Sequence, residues 1–207
     1  MAHPPRIVLS IYFVRHGQTE WNRLGLLQGQ GGFGLLPAGF EDAERAAARL
    51  AGKGVRLVYS SDLERARQTA SVIRDRLGLP RIRTSLALRE MHYGDMSGRP
   101  DREVRRLCPL WRKDARFIFP GGESFLSVQA RAYRWLSGLL RRRPQGPVVV
   151  VTHGGWLRSL FAGLKGVPLS RCLEGTVNHG LAGRLDVSRA DGLHLTVERG
   201  VTIFPAR

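Results

Sequence analysis

Apolar and polar positions follow two different spacings along this chain. Continuous apolar runs at 7–13, 55–59 and 148–151 predict buried strands, and a further short strand is expected at 81–84. Alternating segments later in the chain predict strands or a hairpin at 183–187, 193–197 and 201–204, with a turn at 190–192. The chain therefore holds strands along its whole length.

Apolar residues at helical spacing occupy the stretches between these strands. They predict helices over 40–51, 62–77, 123–142 and 154–164, and short helices over 101–107 and 110–115. In the first of these, the expected buried face is Phe40, Ala43, Ala47 and Leu50. Ser60 or Ser61 is expected to cap the helix that begins at 62.

Strands that alternate with helices are typical of βαβ units. The pattern predicts an α/β fold: a three-layer α/β/α sandwich with a mostly parallel central sheet and an antiparallel edge strand formed late in the chain. With 207 residues, 43% of them hydrophobic and no internal repeat, we expect residues 1–207 to form one domain.

Cysteine usage and the termini indicate where the protein works. Cys108 and Cys172 lack the spacing of metal ligands, and we expect free thiols in a reducing compartment. The first residues show no signal-peptide pattern, and no apolar run is long enough to cross a bilayer. We expect a cytoplasmic protein with no membrane partner.

The charge of the chain is strongly basic, with a formal net charge of +16 and 33 basic residues, of which three are lysines. The arginines are scattered, and no basic motif interleaved with aromatic residues occurs, so a nucleic-acid partner is not expected. Solvated helix faces are favoured over a funnel for anionic substrates. The sequence leaves a homodimer open.

Two apolar strands end in the same chemistry. The first is followed by Arg15, His16 and Gly17, and the strand at 148–151 is followed by Thr152, His153 and Gly154. Ligands of α/β sheets bind beyond the carboxyl ends of the strands, so both histidines are expected at one edge of the sheet. Arginine binds phosphate through a fixed fork, and histidine is a nucleophile near neutral pH.

Two further residues are candidates for the same site. Arg65 is predicted in the first turn of a helix that begins near this edge, and a surface salt bridge with Glu64 or Asp62 is an equal alternative. Glu90 falls in a loop, where an exposed side chain is the common case. If these groups meet, His16 could attack phosphorus, a protonated His153 could bind the phosphoryl oxygens, and Glu90 could protonate the leaving oxygen without a metal.

These segments, in this order, resemble the histidine phosphatase superfamily, also called the phosphoglycerate mutase-like fold. The resemblance runs from Ile7 to about Leu181 and includes Arg15–Thr19, followed by Trp21 and Asn22. It implies a phosphorylated His16, a phosphate pocket of Arg15, Arg65 and His153, and Glu90 as proton donor. It further implies contacts from Asn22 and from the backbone near Gly154. We expect no cofactor, and no metal, because the sequence shows no obvious carboxylate cluster to hold one.

The length of the segment after Glu90 favours one branch of that family. Mutases of this kind carry a long insertion that excludes water, whereas this chain has only a small cap-like insertion at about 91–120. We therefore expect a metal-independent phosphomonoesterase that acts on a small anionic phosphorylated metabolite through a phosphohistidine. A phosphoglycerate mutase-type phosphotransferase and a non-catalytic phosphate-binding module are the alternatives.

The predicted cap is rich in arginine. Its arginines are expected either on a solvated helix face, which is favoured, or in contact with a second negative group of the substrate. They are Arg99, Arg102, Arg105, Arg106, Arg112 and Arg116.

Overall fold

The computed structural model describes residues 7–173, 175–188, 192–199 and 201–202. Its strands are β1 (Ile7–Arg15), β2 (Leu57–Ser60), β3 (Ile82–Thr84), β4 (Val148–Thr152), β5 (Thr176–Val177), β6 (Gly180–Ser188), β7 (Gly192–Val197) and β8 (Val201–Thr202). Its helices are α1 (Glu20–Arg23), α2 (Pro37–Leu50), α3 (Glu64–Arg76), α4 (Asp101–Leu107), α5 (Phe125–Arg141), α6 (Gly154–Leu164) and α7 (Leu169–Cys172).

Six of the strands form the central sheet, in the order β3–β2–β4–β1–β6–β7. The first four pair in parallel, whereas β6 runs antiparallel to both β1 and β7. The prediction of a mostly parallel sheet with an antiparallel strand near one edge is confirmed. Strands β5 and β8 form a separate two-stranded sheet that the sequence pattern did not predict.

The sheet is covered on both faces, which confirms the three-layer sandwich. Side chains that alternate along β1 enter different cores: Phe13 packs on the side of α5 and α6, and Val14 packs on the side of α2 and α3. The same alternation divides Val150 from Val151 in β4, where all five residues are buried. A strand buried on both faces reads as a continuous apolar run, which is why β1 and β4 were visible in the sequence.

Three predicted helices differ from the structure at their N-terminal ends. Helix α2 begins at Pro37 rather than at residue 40, because proline fits the first helical position, and Phe40 is 41% exposed instead of buried. Helix α3 begins at Glu64, with Leu63 as its N-cap and no side-chain cap, so neither predicted serine caps it. The long helix predicted from 123 begins at Phe125, where Ser124 accepts a hydrogen bond from the N–H of Ser127.

The predicted helix at 110–115 is wrong. The N–H groups of Lys113 and Asp114 both donate to the carbonyl of Leu110, which closes a single turn that does not continue. The segment does not continue as a helix; it buries Trp111 beside Tyr93 and Phe119. Of the predicted turn at 190–192 and strand at 201–204, residues 190–191 and 203–204 lie outside the described residues.

The parallel register places three strand ends at one edge. Arg15 pairs with Thr152, and Ser60 pairs with Val151, so β1, β4 and β2 end side by side. The pairing of β1 with β4 extends one residue further, because the N–H of His16 donates to the carbonyl of Thr152 at 3.0 Å. Among the described residues, no helix combines the length and apolar character needed to span a membrane.

Candidate active site

The ring of His16 is held in one orientation at the end of β1. Its Nδ1 lies 2.8 Å from the carbonyl oxygen of Gly17, and because a carbonyl only accepts, Nδ1 carries the hydrogen. The other ring nitrogen, Nε2, then keeps its lone pair. Burial lowers the pKa of His16 well below 6.5, and the charges of Arg65 and Arg15 lower it further, so the ring is neutral at neutral pH. The structure thus presents a neutral, oriented imidazole.

The loop after His16 is fixed by close backbone packing. The N–H of Gly17 donates to the hydroxyl of Thr69 on α3 at 3.0 Å. A Cβ on Gly17 would lie 2.0 Å from the carbonyl oxygen of Gly39 on α2, so only glycine fits here. Two helices therefore clamp the residue next to His16.

The ring of His153 lies next to the ring of His16, with 5.0 Å between the two ring centroids. It is the N-cap of α6 and is fully buried, yet both of its ring nitrogens lack a hydrogen-bond partner among the described residues. Burial and the charges of Arg65 and Arg15 lower its pKa, which favours the neutral ring. Buried polar atoms without partners are rare, so the two ring nitrogens of His153 remain available to a ligand.

Arg15 and Arg65 bring two cations to the same place. Arg15 donates to the carbonyl of Val177 at 2.5 Å, and Arg65 donates to the carbonyls of Gly31 and Gly29 at 2.7 and 2.6 Å. The Nε atoms of both arginines are buried without a partner among the described residues. Burial lowers the pKa of Arg65 to about 10, partly offset by the charge of Glu90. The alternative of a surface salt bridge for Arg65 is wrong, because its side chain is 2% exposed.

Glu90 reaches the opposite wall of this site and is also buried. Its carboxylate accepts hydrogen bonds from the N–H groups of Gly155 at 3.0 Å, Trp156 at 3.2 Å and its neighbour Met91 at 2.8 Å. Two of these donors belong to the N-terminus of α6, which favours a negative charge. A Cβ on Gly155 would lie 2.5 Å from Glu90 Oε1, so glycine leaves room for the carboxylate.

A second layer holds the backbone of Glu90. Arg131 on α5 donates to the carbonyls of Arg89 and Glu90 at 2.6 and 3.2 Å, and it pairs with Glu123 at 2.7 Å. Gln30 adds a bond to the same Glu90 carbonyl. These contacts fix a loop that has little regular structure of its own.

Asn22 and Gly154 complete the predicted set. Asn22 Oδ1 accepts from the backbone and hydroxyl of Thr19, an arrangement that leaves its amide N–H groups available. The N–H of Gly154 is the first of α6 and has no acceptor among the described residues. Both residues line one cavity of about 240 Å³.

The cavity gathers the predicted residues at the sheet edge. Its wall includes Arg15, His16, Asn22, Arg65, Glu90 and Gly154, and His153 lies beneath it against the ring of His16. The structure therefore brings all seven predicted residues together. Within the part of the chain that the structure describes, no group of three His, Cys, Asp or Glu side chains could hold a metal ion.

Two further residues lie at this site and were not predicted from the sequence. His179 is 5.8 Å from His16 between ring centroids, and its Nδ1 donates to the His16 carbonyl at 2.8 Å. Burial lowers its pKa to about 4. It precedes Gly180, so the His–Gly pair that marked His16 and His153 could have found it. Arg158, on α6, lines the cavity and carries no such signal.

The cap arginines separate into two groups. Arg112 lines the cavity, whereas Arg99, Arg105 and Arg116 pair with Glu103, Asp101 and Asp114 on the outside. Arg102 and Arg106 are exposed. The expectation of a solvated face holds for five of the six arginines, and Arg112 departs from it.

The chain is similar to known proteins that act on phosphorylated substrates. The model of the histidine phosphatase superfamily (branch 1) matches residues 11–192. A glucosyl-3-phosphoglycerate phosphatase of Mycolicibacterium vanbaalenii is 37% identical over 89% of this chain and 88% of that protein. A 2,3-bisphosphoglycerate-dependent phosphoglycerate mutase of Brucella melitensis is 33% identical over 83% of this chain and 89% of the mutase.

A solved structure extends the similarity to the fold. The mycobacterial glucosyl-3-phosphoglycerate phosphatase in complex with VO3 superposes with a TM-score of 0.79 at 30% identity. The superposition covers 91% of this chain and 97% of that one.

Proposed function

Because the chain belongs to the histidine phosphatase superfamily and is a phosphatase, we propose that it hydrolyses small phosphomonoesters through a phosphohistidine formed on His16. The observation that carries this proposal is the anchored ring of His16. Its Nδ1 is engaged by Gly17, and its Nε2 is left as the nucleophile inside a cavity walled by Arg15 and Arg65.

The first step transfers the phosphoryl group to the enzyme. The lone pair of His16 Nε2 attacks phosphorus, the bond from phosphorus to the ester oxygen breaks, and that oxygen takes a proton from Glu90. This step uses Glu90 as a carboxylic acid, and the ester oxygen that leaves is its proton acceptor. The alcohol leaves, and a phosphohistidine remains.

The second step hydrolyses the phosphohistidine and regenerates the free enzyme. Glu90, now a carboxylate, removes a proton from water as the water oxygen attacks phosphorus, and the bond from phosphorus to Nε2 breaks to release inorganic phosphate. Charge spread over the three phosphoryl oxygens is stabilised by Arg15, Arg65, the Asn22 amide and the Gly154 N–H. The same negative charge would favour a protonated His153, whose unpartnered nitrogens then have an acceptor.

We propose the segment at about 91–120 as the cap of this site, within one domain spanning residues 1–207. Tyr93 and Arg112 from this segment line the cavity, which supports the assignment. A cap this short leaves the phosphohistidine open to water, which favours hydrolysis over return of the phosphoryl group to an acceptor. The mutase alternative is less supported than the phosphatase.

We also propose a cytoplasmic location, supported by the free and buried thiols of Cys108 and Cys172. A homodimer stays a prediction, to be checked by light scattering.

Hydrolysis of a chromogenic aryl phosphate in EDTA, with wild type and His16→Ala, tests the proposal. We expect turnover by wild type and none by the variant. Absence of turnover by folded wild type would overturn the phosphatase proposal. Turnover that appears only after addition of 2,3-bisphosphoglycerate would point to the mutase, and phosphate binding without any turnover would point to a non-catalytic module.

A further inference from the structure

A second concave surface begins at the opposite edge of the sheet from His16. Strands β2 and β4 pair in parallel, so both begin at this edge and end beside the catalytic cavity. Two adjoining cavities of about 450 and 310 Å³ lie here and along edge strand β3, and they share Tyr59, Arg83 and Arg142 in their walls. We call this surface the basic groove, because its walls hold five arginines: Arg56, Arg81, Arg83, Arg142 and Arg143.

The arginines of the basic groove are exposed and unpaired. None of the five forms an ion pair or a side-chain hydrogen bond with another described residue. On helix α3, by contrast, Arg74 and Arg76 pair with Asp75 and Glu44. Within the described part of the chain, no Asp or Glu lines either cavity of the groove. A cleft lined by one sign of charge concentrates ions of the opposite charge, so this groove attracts anions.

The turn between α5 and β4 shapes one wall of the basic groove. Arg143 follows the C-cap of α5 with a φ of 45°, in the left-handed region that favours glycine. At Gly146 a Cβ would lie 2.8 Å from Cγ of Arg56, so glycine leaves room for the stem of that arginine. The negative end of α5 accounts for Arg142 and Arg143, but the other three arginines come from the beginnings of β2 and β3 and are not explained by it.

The remaining lining of the groove narrows the class of ligand. Tyr59 and Trp135 pack edge to face and are 5% and 8% exposed, so neither offers a free face to a stacked base. None of the large apolar side chains that are exposed in the described ranges lines the groove, so an apolar partner finds no anchor. The described lining also holds no histidine, cysteine or carboxylate, and a ligand is therefore bound there rather than cleaved.

We propose that the basic groove binds an oligophosphate, a chain of consecutive phosphates such as inorganic tripolyphosphate or the triphosphate of a nucleotide. Guanidinium forks bind phosphate oxygens in pairs. A single phosphate contacts only the arginines around one point, whereas a chain of phosphates reaches arginines in both cavities. This site is separate from the phosphate pocket at His16, and it does not depend on the proposed hydrolysis.

Calorimetry with the His16→Ala protein tests the ligand class, because this protein lacks the proposed nucleophile and leaves the probes intact. The probes are inorganic phosphate, tripolyphosphate and ATP in about 0.1 M salt, where exposed charges more than about 10 Å apart are screened. Tripolyphosphate should bind about tenfold or more tightly than inorganic phosphate. ATP that binds like tripolyphosphate would show that the phosphate chain alone is recognised, and tighter binding of ATP would add the nucleoside to the ligand.

A pair of double variants in the same protein locates the bound probe. Arg83→Gln with Arg142→Gln removes the two cations that both cavities share, and it should weaken binding of tripolyphosphate by about tenfold or more. The matched control, Arg102→Gln with Arg106→Gln, removes the same charge from the exposed cap and should change the affinity by less than about twofold. Circular dichroism checks folding, and Arg81→Gln with Arg83→Gln is the second groove variant if the first does not fold.

Four results would overturn the oligophosphate site. They are an affinity for tripolyphosphate no higher than that for inorganic phosphate, an unchanged affinity in the groove variant, which would place the probe in the catalytic cavity, and an equal loss in the control variant, which would reduce binding to net charge. The fourth is a short oligouridylate that binds more tightly than tripolyphosphate and depends on the groove arginines, which would indicate a nucleic acid instead. Hydrolysis of aryl phosphate by wild type tests the proposed function separately.

Discussion

At the end of β1 the ring of His16 is anchored by a carbonyl, whereas at the end of β4 the ring of His153 has no partner among the described residues. Both strands are apolar, both histidines precede a glycine, and burial lowers the pKa of both. The two junctions differ in the role of that glycine. Gly17 turns its carbonyl back to the His16 ring, whereas Gly154 begins α6 and leaves His153 as its cap.

This difference assigns separate chemistry to two similar sequence patterns. A ring whose Nδ1 hydrogen is fixed can present Nε2 as a nucleophile in one geometry. A buried ring without fixed partners is suited to bind an incoming anion. We therefore expect loss of the two histidines to have unequal effects.

The largest effect after removal of His16 itself is expected for His153→Ala. Loss of one donor to the phosphoryl oxygens should lower kcat by about 10² to 10³, whereas His16→Ala removes the nucleophile and should abolish turnover. Steady-state rates with aryl phosphate measure this, and circular dichroism of both variants controls for folding. If His153→Ala were inactive and His16→Ala retained most of its rate, the two roles would be reversed.

The next effect concerns Glu90, which contacts the His153 junction through the N–H groups of Gly155 and Trp156. Glu90→Gln keeps the shape and removes the proton donor, so kcat for an alkyl phosphate should fall by about 10². An aryl phosphate, whose leaving group needs less protonation, should lose less. Equal losses for both substrates would contradict the acid role.

A matched pair of glycine variants compares the junctions directly. In Gly17→Ala the new Cβ would meet the Gly39 carbonyl at 2.0 Å, which should destabilise the fold by about 3 kcal/mol. In Gly154→Ala the nearest atom is Arg15 Nε at 3.5 Å, an ordinary contact, and stability should change by less than about 0.5 kcal/mol. Urea unfolding of both variants measures this, and equal midpoints would show that the β1 junction is not clamped.

The smallest effect is expected from pH. Burial lowers the pKa of His16, His153 and His179 in the folded state, so the unfolded chain binds more protons as pH falls below about 6.5. Stability should therefore decrease as pH falls from about 7 to about 5, and the acid limb of kcat/KM should lie below about 6.5. Thermal unfolding between about pH 7 and pH 5 measures how the stability depends on pH. His179→Gln should make this dependence weaker. A stability of wild type that does not change with pH would contradict buried, neutral histidines.

Much of this arrangement was predictable because the strands that carry it are buried on both faces. The apolar runs of β1 and β4 located His16 and His153, and α4 and α6 begin and end where helical spacing predicted. Other contacts depend on parts of the chain that meet only after folding. Short strand β5 brings His179 to His16, and the carbonyl of Leu173 brings Arg112 to Arg158, although no local spacing encodes either contact.

Phosphoenzyme trapping tests the role of His16 most directly. Wild type, His16→Ala and His153→Ala are mixed with a phosphomonoester, quenched in denaturant at alkaline pH, where phosphohistidine persists, and studied by intact-mass and peptide mass spectrometry. We expect one added phosphoryl group on the peptide that carries His16 in wild type, the same adduct in His153→Ala, and none in His16→Ala. An adduct that survives in His16→Ala, or that maps to His153, would contradict the assignment of the nucleophile.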